Sequence, residues 1–445
     1  MKSLLTLAGC LALGAMLPAA EPTLHSFRKI PLTDHFWAEG GDVGDFNHDG
    51  KLDVAYGPFW WAGPDFKARH EYRPATQTFK RKQADGTEVT VPGWEGALGA
   101  NNAYSDAFFT FTQDFNRDGY DDLLVIGLPG TDAWVHENPG AQPPAAGNGH
   151  WPRHSVFPVV DNESLMWDDL TGDGKPELIC NTGGQLGYLH PDGNAPFQPW
   201  KFQPITPKLK YHKYTHGLGF GDVNGDGRAD FLEADGWWEQ PASLAGDPAW
   251  KLHAFPFAPN SGAAQMFAYD INGDGRNDVI TTLNPHGYGL VWWEQVRTGE
   301  EITFKQHRLM GQTPAESPYG VKFTQPHAIA LVDMDGDGLK DIVTGKRFWA
   351  HGPAGDVEQN DPAVLYWFKL VRAAGGNADF VPYLIDKSSG VGTQVAVRDI
   401  NGDGRPDILS SNKRGAAVFL QEIRQVSQVE WSQAQPKRVA PAAGQ

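Results

Sequence analysis

A nine-residue motif occurs seven times along the chain, and it constrains the fold more than any other feature. The first copy runs from Asp45 to Asp53 and the last from Asp399 to Asp407. Each copy has oxygen-bearing side chains at positions 1, 3, 5 and 9 and glycine at position 6. Alternate residues of a tight loop point inward, and glycine permits the sharp turn. The spacing therefore suits a hard cation such as Ca²⁺.

The predicted ligands are the side chains at these four positions of every copy. An EF-hand would close its cage with Glu at position 12, where the first copy has Tyr56, so these loops are calcium-type loops of another kind. We expect up to seven structural Ca²⁺ ions, held by Asp45, Asn47, Asp49, Asp53, Asp114, Asn116, Asp118, Asp122, Asp169, Thr171, Asp173, Glu177, Asp222, Asn224, Asp226, Asp230, Asp270, Asn272, Asp274, Asp278, Asp333, Asp335, Asp337, Asp341, Asp399, Asn401, Asp403 and Asp407.

The residues around the loops predict the fold class. Each loop is followed by a short run rich in β-forming residues, such as Leu123–Ile126, so the loop connects two strands rather than two helices. The copies begin 48 to 69 residues apart, which leaves room for about four short strands per unit. We predict an all-β fold, a seven-bladed β-propeller over residues 21–420 with a calcium loop in each blade. The units resemble FG-GAP/VCBS repeats, the calcium-loop blades of integrin-type propellers.

The two ends of the chain lie outside this repeat pattern. Residues 1–20 carry one lysine, an apolar run and small residues, which is typical of a secretory signal peptide. The chain is therefore predicted to be periplasmic or secreted, although Leu7–Cys10 also resembles a lipoprotein cleavage box. We expect Thr23–Ile30 to supply the fourth strand of the last blade and residues 421–445 to form a frayed tail.

Composition limits the partners and the sources of stability. The chain has 54 acidic and 37 basic residues, and 22 of the acidic ones occupy the predicted cation-ligand positions. The net charge of −17 argues against nucleic acid or an anionic membrane as partner, and no apolar stretch after residue 20 could cross a bilayer. After cleavage Cys180 would be the single remaining cysteine, which excludes an intrachain disulfide and favours a buried core position.

Aromatic pairs recur on the predicted third strands, for example Trp237-Trp238 and Trp292-Trp293. A repeated position favours packing between blades, whereas exposed aromatic rings could instead stack on sugars. The stretches 62–103 and 138–149 are predicted to be surface loops.

When the seven copies of the motif are aligned, they locate a candidate site at the mouth of the central channel of the predicted propeller. Six residues before each first Asp stand Glu39, Phe108, Glu163, His216, Ala264, His327 and Thr393. The loops that open on this face hold His286, Lys346, Arg347 and His351. The polar residues of this set allow three interpretations. They line a water-filled channel, or they hold a transition metal through N and O ligands, or a histidine base acts there together with cationic side chains.

The local sequence also resembles the propeller part of aldos-2-ulose dehydratases. The similar segments are His216–Glu239, Asn284–Trp293 and His327–Arg347, and the similarity is clearest over residues 212–370. Enzymes of that family remove water from oxidised sugars and carry further β domains, for which this chain has no room. The resemblance implies β-elimination at the channel mouth, next to a carbonyl group.

The roles implied by this resemblance are assigned as follows. His327 or His216 would be the base, a metal or Lys346 would stabilise the enolate, and Tyr319 or His286 would be the acid. Glu39, Glu163, Arg347 and His351 are further candidates for contact with a channel metal or the substrate. The sequence thus predicts a lyase acting on an oxidised sugar or glycoside; the alternative is a non-catalytic propeller that binds carbohydrate or protein. No G-x-S-x-G, H-E-x-x-H or phosphate-loop motif is present, which disfavours serine hydrolase, zincin and nucleotide chemistry.

Overall fold

The computed structural model describes residues 21–141, 149–259, 262–373 and 375–439. The predicted signal peptide, residues 142–148 of the predicted loop at 138–149 and the last residues of the predicted tail, 440–445, lie outside this range.

The described residues are almost entirely β-strand. The first half of the chain contains β1 (Thr23–Thr33), β2 (Gly41–Gly44), β3 (Asp53–Tyr56), β4 (Phe59–Trp61), β5 (Arg69–Glu71), β6 (Thr78–Lys82), β7 (Glu88–Pro92), β8 (Phe109–Gln113), β9 (Asp122–Ile126), β10 (Thr131–His136), β11 (Arg153–Asp168), β12 (Glu177–Thr182), β13 (Gln185–His190) and β14 (Lys201–Pro204). The second half contains β15 (Leu218–Gly221), β16 (Asp230–Glu233), β17 (Gly236–Glu239), β18 (Lys251–Ala254), β19 (Gln265–Tyr269), β20 (Asp278–Thr282), β21 (Leu290–Thr298), β22 (Glu301–Met310), β23 (Ile329–Val332), β24 (Asp341–Gly345), β25 (Leu365–Ala373), β26 (Asn377–Asp386), β27 (Val395–Arg398), β28 (Asp407–Asn412) and β29 (Gly415–Gln425). One helix, α1 (Gln428–Ala434), and two 3₁₀ turns (Gly96–Leu98 and Pro314–Glu316) complete the described elements.

The strands pair into successive four-stranded antiparallel units, which we number by the loop they contain. The units are β2–β5, β8–β11, β11–β14, β15–β18, β19–β22, β23–β26 and β27–β29 with β1. In each unit the nine-residue loop joins the first and second strands. The long strand β11 serves two units, because Arg153–Val160 pairs with β10 and Asp161–Asp168 pairs with β12.

The first strands of neighbouring units contact one another around the molecule. These contacts join β8 to β2, β2 to β27, and β27 through β23 and β19 to β15, while β15 also contacts β11. The expected closure is confirmed: β1 pairs with β29 from Thr23 opposite Gln425 to Thr33 opposite Ala416. The chain is therefore all-β, with an architecture that fits a β-propeller.

The core lies between the units rather than inside any one of them, because a four-stranded unit buries its faces only against its neighbours. Trp237 of the fourth unit belongs to one buried cluster with Val279 and Trp293 of the fifth. Trp60 and Trp61 of the first unit likewise share a buried cluster with Leu123 of the second, so the prediction that the aromatic pairs pack between units is confirmed. Cys180 is also buried, as predicted.

Two segments differ from the predicted boundaries. The stretch 62–103 is more than a loop, since it contains β5, the fourth strand of the first unit, and the hairpin β6–β7. At the other end, β29 continues to Gln425 because its edge pairs with β1, and α1 begins three residues later with a Ser427 side-chain cap. The expected tail therefore starts later than residue 421.

Among the described residues, no helix combines the length and the apolar character that a bilayer crossing requires.

Candidate functional site

The residues six positions before each loop lie at the beginning of the first strands, and all are buried. The most exposed of them, His216, shows 8 % of its surface, whereas Glu39 and His327 show none. Burial of several ionisable side chains in one region is costly unless they are paired or hold an ion. The distances between these buried side chains therefore indicate whether they are paired or could hold an ion.

Three histidines come together there, and we call them the histidine cluster: His216, His286 and His327. Their ring centroids are separated by 4.9 Å (216–286), 5.4 Å (216–327) and 4.5 Å (286–327). Each ring can offer one nitrogen, and these three nitrogens lie within 4.8 Å of one another. Two of the rings come from the starts of first strands and the third from the β20–β21 loop.

Four ring nitrogens of the histidine cluster make no hydrogen bond in the part of the chain that the structure describes, whereas His216 Nδ1 lies 2.9 Å from the Tyr214 carbonyl oxygen. Within the described residues, Nε2 of His216, Nδ1 of His286 and both nitrogens of His327 are buried without a hydrogen bond. Burial lowers the pKa of His286 to about 4 and moves the pKa of His327 well below its ordinary value. These two rings are therefore neutral at pH 7, which is the form that binds transition metals. The donor set fits a divalent metal such as Zn²⁺.

A buried ion pair network adjoins the cluster. The Arg347 guanidinium donates to Glu163 through Nη1 (2.9 Å) and to Glu39 through Nε (3.3 Å). Glu163 Oε2 also lies 3.7 Å from His216 Nε2 and 3.9 Å from His327 Nε2. Burial opposes ionisation of Glu163, but His216 and Arg347 outweigh it and hold the pKa of Glu163 well below its usual range. The network places a fixed negative charge beside two of the imidazoles.

The cluster opens to solvent past a second pair, His351 and Asp356. His351 Nδ1 lies 2.7 Å from Asp356 Oδ1, and the His351 ring is 4.3 Å from the ring of His286. The His351 side chain is 48 % exposed, whereas that of Asp356 is 2 % exposed. Burial opposes ionisation of Asp356, but the neighbouring His286 and His351 imidazoles, with His286 Nδ1 3.7 Å from Asp356 Oδ1, outweigh it and hold the pKa of Asp356 below its ordinary range.

Two predicted catalytic residues are not part of this arrangement. The Tyr319 hydroxyl donates to Asp379 Oδ2 on the outer strand β26 (2.6 Å), and Arg438 lies over its ring, so these contacts do not link it to the histidine cluster. The Lys346 ammonium donates to Thr324 Oγ1 and to the carbonyl of Glu358. Among the described residues it makes no hydrogen bond or ion pair with the histidine cluster, so the structure does not support a role in stabilising an enolate.

The nine-residue loops share one hydrogen-bond pattern. The first aspartate accepts the backbone N–H of the glycine at position 6 in every copy, as Asp45 does from Gly50 (2.8 Å). The ninth carboxylate accepts the N–H of the second residue, as Asp53 does from Phe46 (3.0 Å). From the sequence, the ninth residue is predicted only as a cation ligand. In the structure its carboxylate also holds the loop to its own unit.

Two loops differ from the others in their carboxylates. In the third, oxygens of Asp169, Asp173 and Glu177 lie within 4.8 Å of one another, as do those of Asp333, Asp335 and Asp341 in the sixth. These oxygen sets fit a hard cation such as Ca²⁺. In the sixth loop the Lys369 ammonium contacts Asp335 and lies 3.0 Å from Asp337, which offsets the extra carboxylate of that copy.

Sequence reasoning missed a set of amides that connect neighbouring loops. Gln295 donates its backbone N–H to the ninth carboxylate of its own loop (2.8 Å) and its side-chain amide to the Val223 carbonyl of the preceding loop (2.8 Å). Asn138, Gln240 and Gln421 make the same two kinds of contact. We call these four residues the amide links. Two of them, Gln295 and Gln421, lie inside their third strands, and the other two lie just past the end of theirs.

Asp356 was also missed, because it lies between Lys346 and Val364, a connection that is much longer than its counterpart in the fifth unit. Alignment of the repeats cannot locate residues of such an insertion, because the insertion has no counterpart in the other units. The available signal was an aspartate five residues after His351 in a segment already suspected of facing the channel mouth.

Comparison with known proteins identifies the repeats and little more. Residues 169–232 and 270–344 match the model of the FG-GAP-like repeat. No curated protein matches the chain.

A comparison with solved structures finds several matches at low identity. An Agrocybe aegerita lectin, described as recognising non-reducing terminal N-acetylglucosamine, is 15 % identical over 91 % of this chain and 86 % of its own, with a TM-score of 0.41. An auxiliary nutrient binding protein from Bacteroides ovatus is 10 % identical over 84 % of each chain, with a TM-score of 0.41. Rhamnogalacturonan lyase YesW is 13 % identical over 91 % of this chain and 73 % of its own, with a TM-score of 0.34.

Proposed function

We propose that this protein is an exported, seven-bladed propeller stabilised by Ca²⁺ that catalyses β-elimination on an oxidised sugar or glycoside. The observation that carries the proposal is the histidine cluster, in which four buried imidazole nitrogens have no hydrogen-bond partner within the described residues. The resemblance of residues 212–370 to the aldos-2-ulose dehydratase propeller supports the same chemistry. Export rests on the signal peptide predicted at residues 1–20.

His216, His286 and His327 would hold one transition metal. A metal bound there would act as a Lewis acid that polarises a substrate carbonyl and so acidifies the neighbouring C–H bond. The cluster opens through His286 and His351, because the His327 side chain is fully covered while that of His286 is 24 % exposed. The substrate carbonyl would therefore enter from the His351 side.

His351 is the residue placed to move the proton. An ionised Asp356 can only accept, so it fixes the tautomer with the proton on Nδ1 and leaves the Nε2 lone pair free. Nε2 takes the proton from the carbon next to the carbonyl, and the C–O bond at the following carbon breaks. The same Nε2–H then donates to the departing oxygen, which leaves as water or as an alcohol. This sequence returns His351 to its starting state.

Arg347, Glu163 and Glu39 act on this site through charge. Glu163 lies between the Arg347 guanidinium and Nε2 of both His216 and His327, so its carboxylate would partly balance the charge of a dication held by those nitrogens.

Replacement of His327 by alanine tests the proposal. Activity would be followed by the ultraviolet absorbance of the unsaturated ketone formed from anhydrofructose, glucosone or a keto-glycoside. Loss of a cluster ligand is expected to lower kcat/KM by at least about 100-fold, because metal binding and carbonyl polarisation fail together.

The matched control is His190→Ala, which removes an exposed histidine at the end of β13. It is expected to keep full activity, and both variants should show the same calcium-dependent melting as the unaltered protein. Full activity of the His327→Ala variant on the three substrates would contradict the proposal.

A second function, carbohydrate binding without chemistry, is favoured by a separate observation. Near the channel mouth the molecule has a cavity lined by several aromatic side chains, and such a lining suits a sugar.

A further inference from the structure

A cavity of about 610 Å³ lies between the insertion of the first unit and the second unit, and we call it the aromatic cavity. Its lining includes Trp94 from the insertion, Trp134 from β10, and Trp151 and Tyr104. All four side chains are only partly buried, so their rings are accessible. Its volume falls within the roughly 300–1,000 Å³ of ordinary small-molecule sites.

The aromatic cavity lies on the same face as the histidine cluster. The Tyr104 hydroxyl donates to the carbonyl of Ala350, the residue before His351, over 3.0 Å. The turn between the second and third strands of the second unit, Gly127 and Leu128, also lines the cavity. The insertion at 62–103 thus supplies one wall of a concave site close to the channel mouth.

Charged side chains in the lining are held in fixed positions. Arg73 makes a two-pronged pair with Asp106, at 2.7 and 2.9 Å, and its side chain is 13 % exposed. The Arg153 guanidinium lies 3.3 Å from the centre of the Trp134 ring system. Within the described residues it makes no hydrogen bond or ion pair. Its N–H groups are therefore donors available to a ligand.

The wall also contains polar atoms that are buried and unpaired. Within the described residues, Nδ1 of His136 and Nε of Arg73 have no hydrogen-bond partner. His136 is 3 % exposed, and burial moves its pKa well below its ordinary value, so its ring is neutral. A buried polar atom without a partner is costly, and a bound hydroxyl group would satisfy it.

We propose that the aromatic cavity binds a neutral oligosaccharide. Sugar rings present C–H faces that pack on tryptophan, and their hydroxyl groups match the fixed arginine, aspartate and histidine side chains. Two arginines, Arg73 and Arg153, and two aspartates, Asp106 and Asp132, line the cavity, so the net charge does not attract a uronate. This binding uses none of the three histidines of the cluster and is independent of the proposed elimination.

An array of immobilised neutral oligosaccharides (glucans, mannans, xylans and galactans) and of uronate oligomers tests the proposal. The full-length protein is expected to bind neutral oligosaccharides. For the glycan that binds best, titration calorimetry should show that Trp134→Ala weakens binding about tenfold or more, the loss expected for one stacked ring. Arg153→Gln, at the start of β11, is a second variant that leaves the tryptophans in place.

The matched control is Trp431→Ala, which removes a tryptophan of α1 outside the cavity and should leave the affinity unchanged. The His327→Ala variant should also bind normally, whether or not the protein proves to be a lyase. The proposal is overturned if neutral glycans do not bind, if only uronates bind, or if binding survives both cavity variants. Loss of binding in His327→Ala would assign the glycan to the channel mouth and overturn it as well.

Discussion

Lys346 shows how a single residue can act against the stability of its own fold. Its side chain has no exposed surface, and burial lowers its pKa to about 8. At neutral pH the protein therefore keeps a charged ammonium group in a poorly solvated place, which is costly even with the Thr324 and Glu358 contacts. Such positions are common at functional sites, although this one lies outside the histidine cluster.

Replacement of Lys346 by methionine should change the pH dependence of stability. The folded protein releases the Lys346 proton near pH 8 and the unfolded chain near the ordinary value of 10.5, so between these values folding becomes easier as pH rises. The variant lacks this group, so its stability relative to the unaltered protein should fall by on the order of 2 to 3 kcal/mol from pH 7 to 10. Urea unfolding of both proteins at pH 7 and at pH 10, in the presence of calcium, measures this change in relative stability.

Other titrating groups are common to the two proteins and cancel in this comparison. Lys208→Met, at an exposed lysine, is the control and should show no such trend. A stability difference between Lys346→Met and the unaltered protein that stays constant from pH 7 to 10 would contradict the assigned cause.

The candidate site was predictable from the sequence where residues follow the repeat and unpredictable where they do not. His216 and His327 occupy one repeated position, so alignment of the loops was enough to place them in one region. Asp356 lies in an unrepeated insertion, and its partner His351 was proposed without it. Tyr319 was placed near the channel by its position in the chain, but its hydroxyl reaches the outer strand β26.

At the scale of elements, the amide links join four of the seven loops to the next unit. Gln295 is fully buried, and its side-chain amide donates to the carbonyls of Val223 (2.8 Å) and Asn277 (2.7 Å). Its backbone N–H meanwhile holds the ninth carboxylate, Asp278. One residue thus ties two consecutive loops together and couples neighbouring units.

Replacement of Gln295 by leucine should destabilise the molecule because it leaves two buried carbonyl groups without donors. The free energy of unfolding is expected to fall by about 2 to 4 kcal/mol. Gln306→Leu, at an exposed glutamine on the adjacent strand β22, should change it by less than about 0.5 kcal/mol. Thermal melting in saturating calcium compares the two variants, and equal melting temperatures would show that the link carries no stability.

The amide links were hidden from sequence reasoning for a physical reason. The donor is asparagine or glutamine, and in the sixth unit the Arg372 side chain makes the comparable contact with the Ile271 carbonyl. The third strands also differ in length, so the donor residue does not lie at a fixed sequence distance from the nine-residue loop of its unit. The loops themselves were easy to find because tight-turn geometry and cation-type ligands fix both spacing and residue type.

At the scale of the whole molecule, the nine-residue loops and the histidine cluster lie at opposite ends of the first strands. The loops leave the far ends of the first strands, while the histidine cluster lies where the same strands begin. The pairing of β1 with β29 joins the two ends of the described chain, so both faces are fixed by one closed set of contacts. The ring closure was predictable because the last repeat lacked its fourth strand and a β-rich segment preceded the first loop.

The ninth carboxylates explain why calcium should matter to this architecture. Burial raises the pKa of Asp122, Asp230, Asp278 and Asp341 to about 7 in the absence of an ion. A nearby cation would favour their ionised form. We therefore expect the ion-filled loops to be the stable form of the protein at neutral pH.

The metal content of the purified protein, measured by elemental mass spectrometry, tests the central claim most directly. The measurement compares the unaltered protein with a variant that carries His216→Ala and His327→Ala, each before and after mild chelation. We predict several Ca²⁺ ions per chain in both proteins, and about one transition-metal ion that is present in the unaltered protein and absent from the variant. An equal transition-metal content in the two proteins, or none in either, would contradict a metal at the histidine cluster.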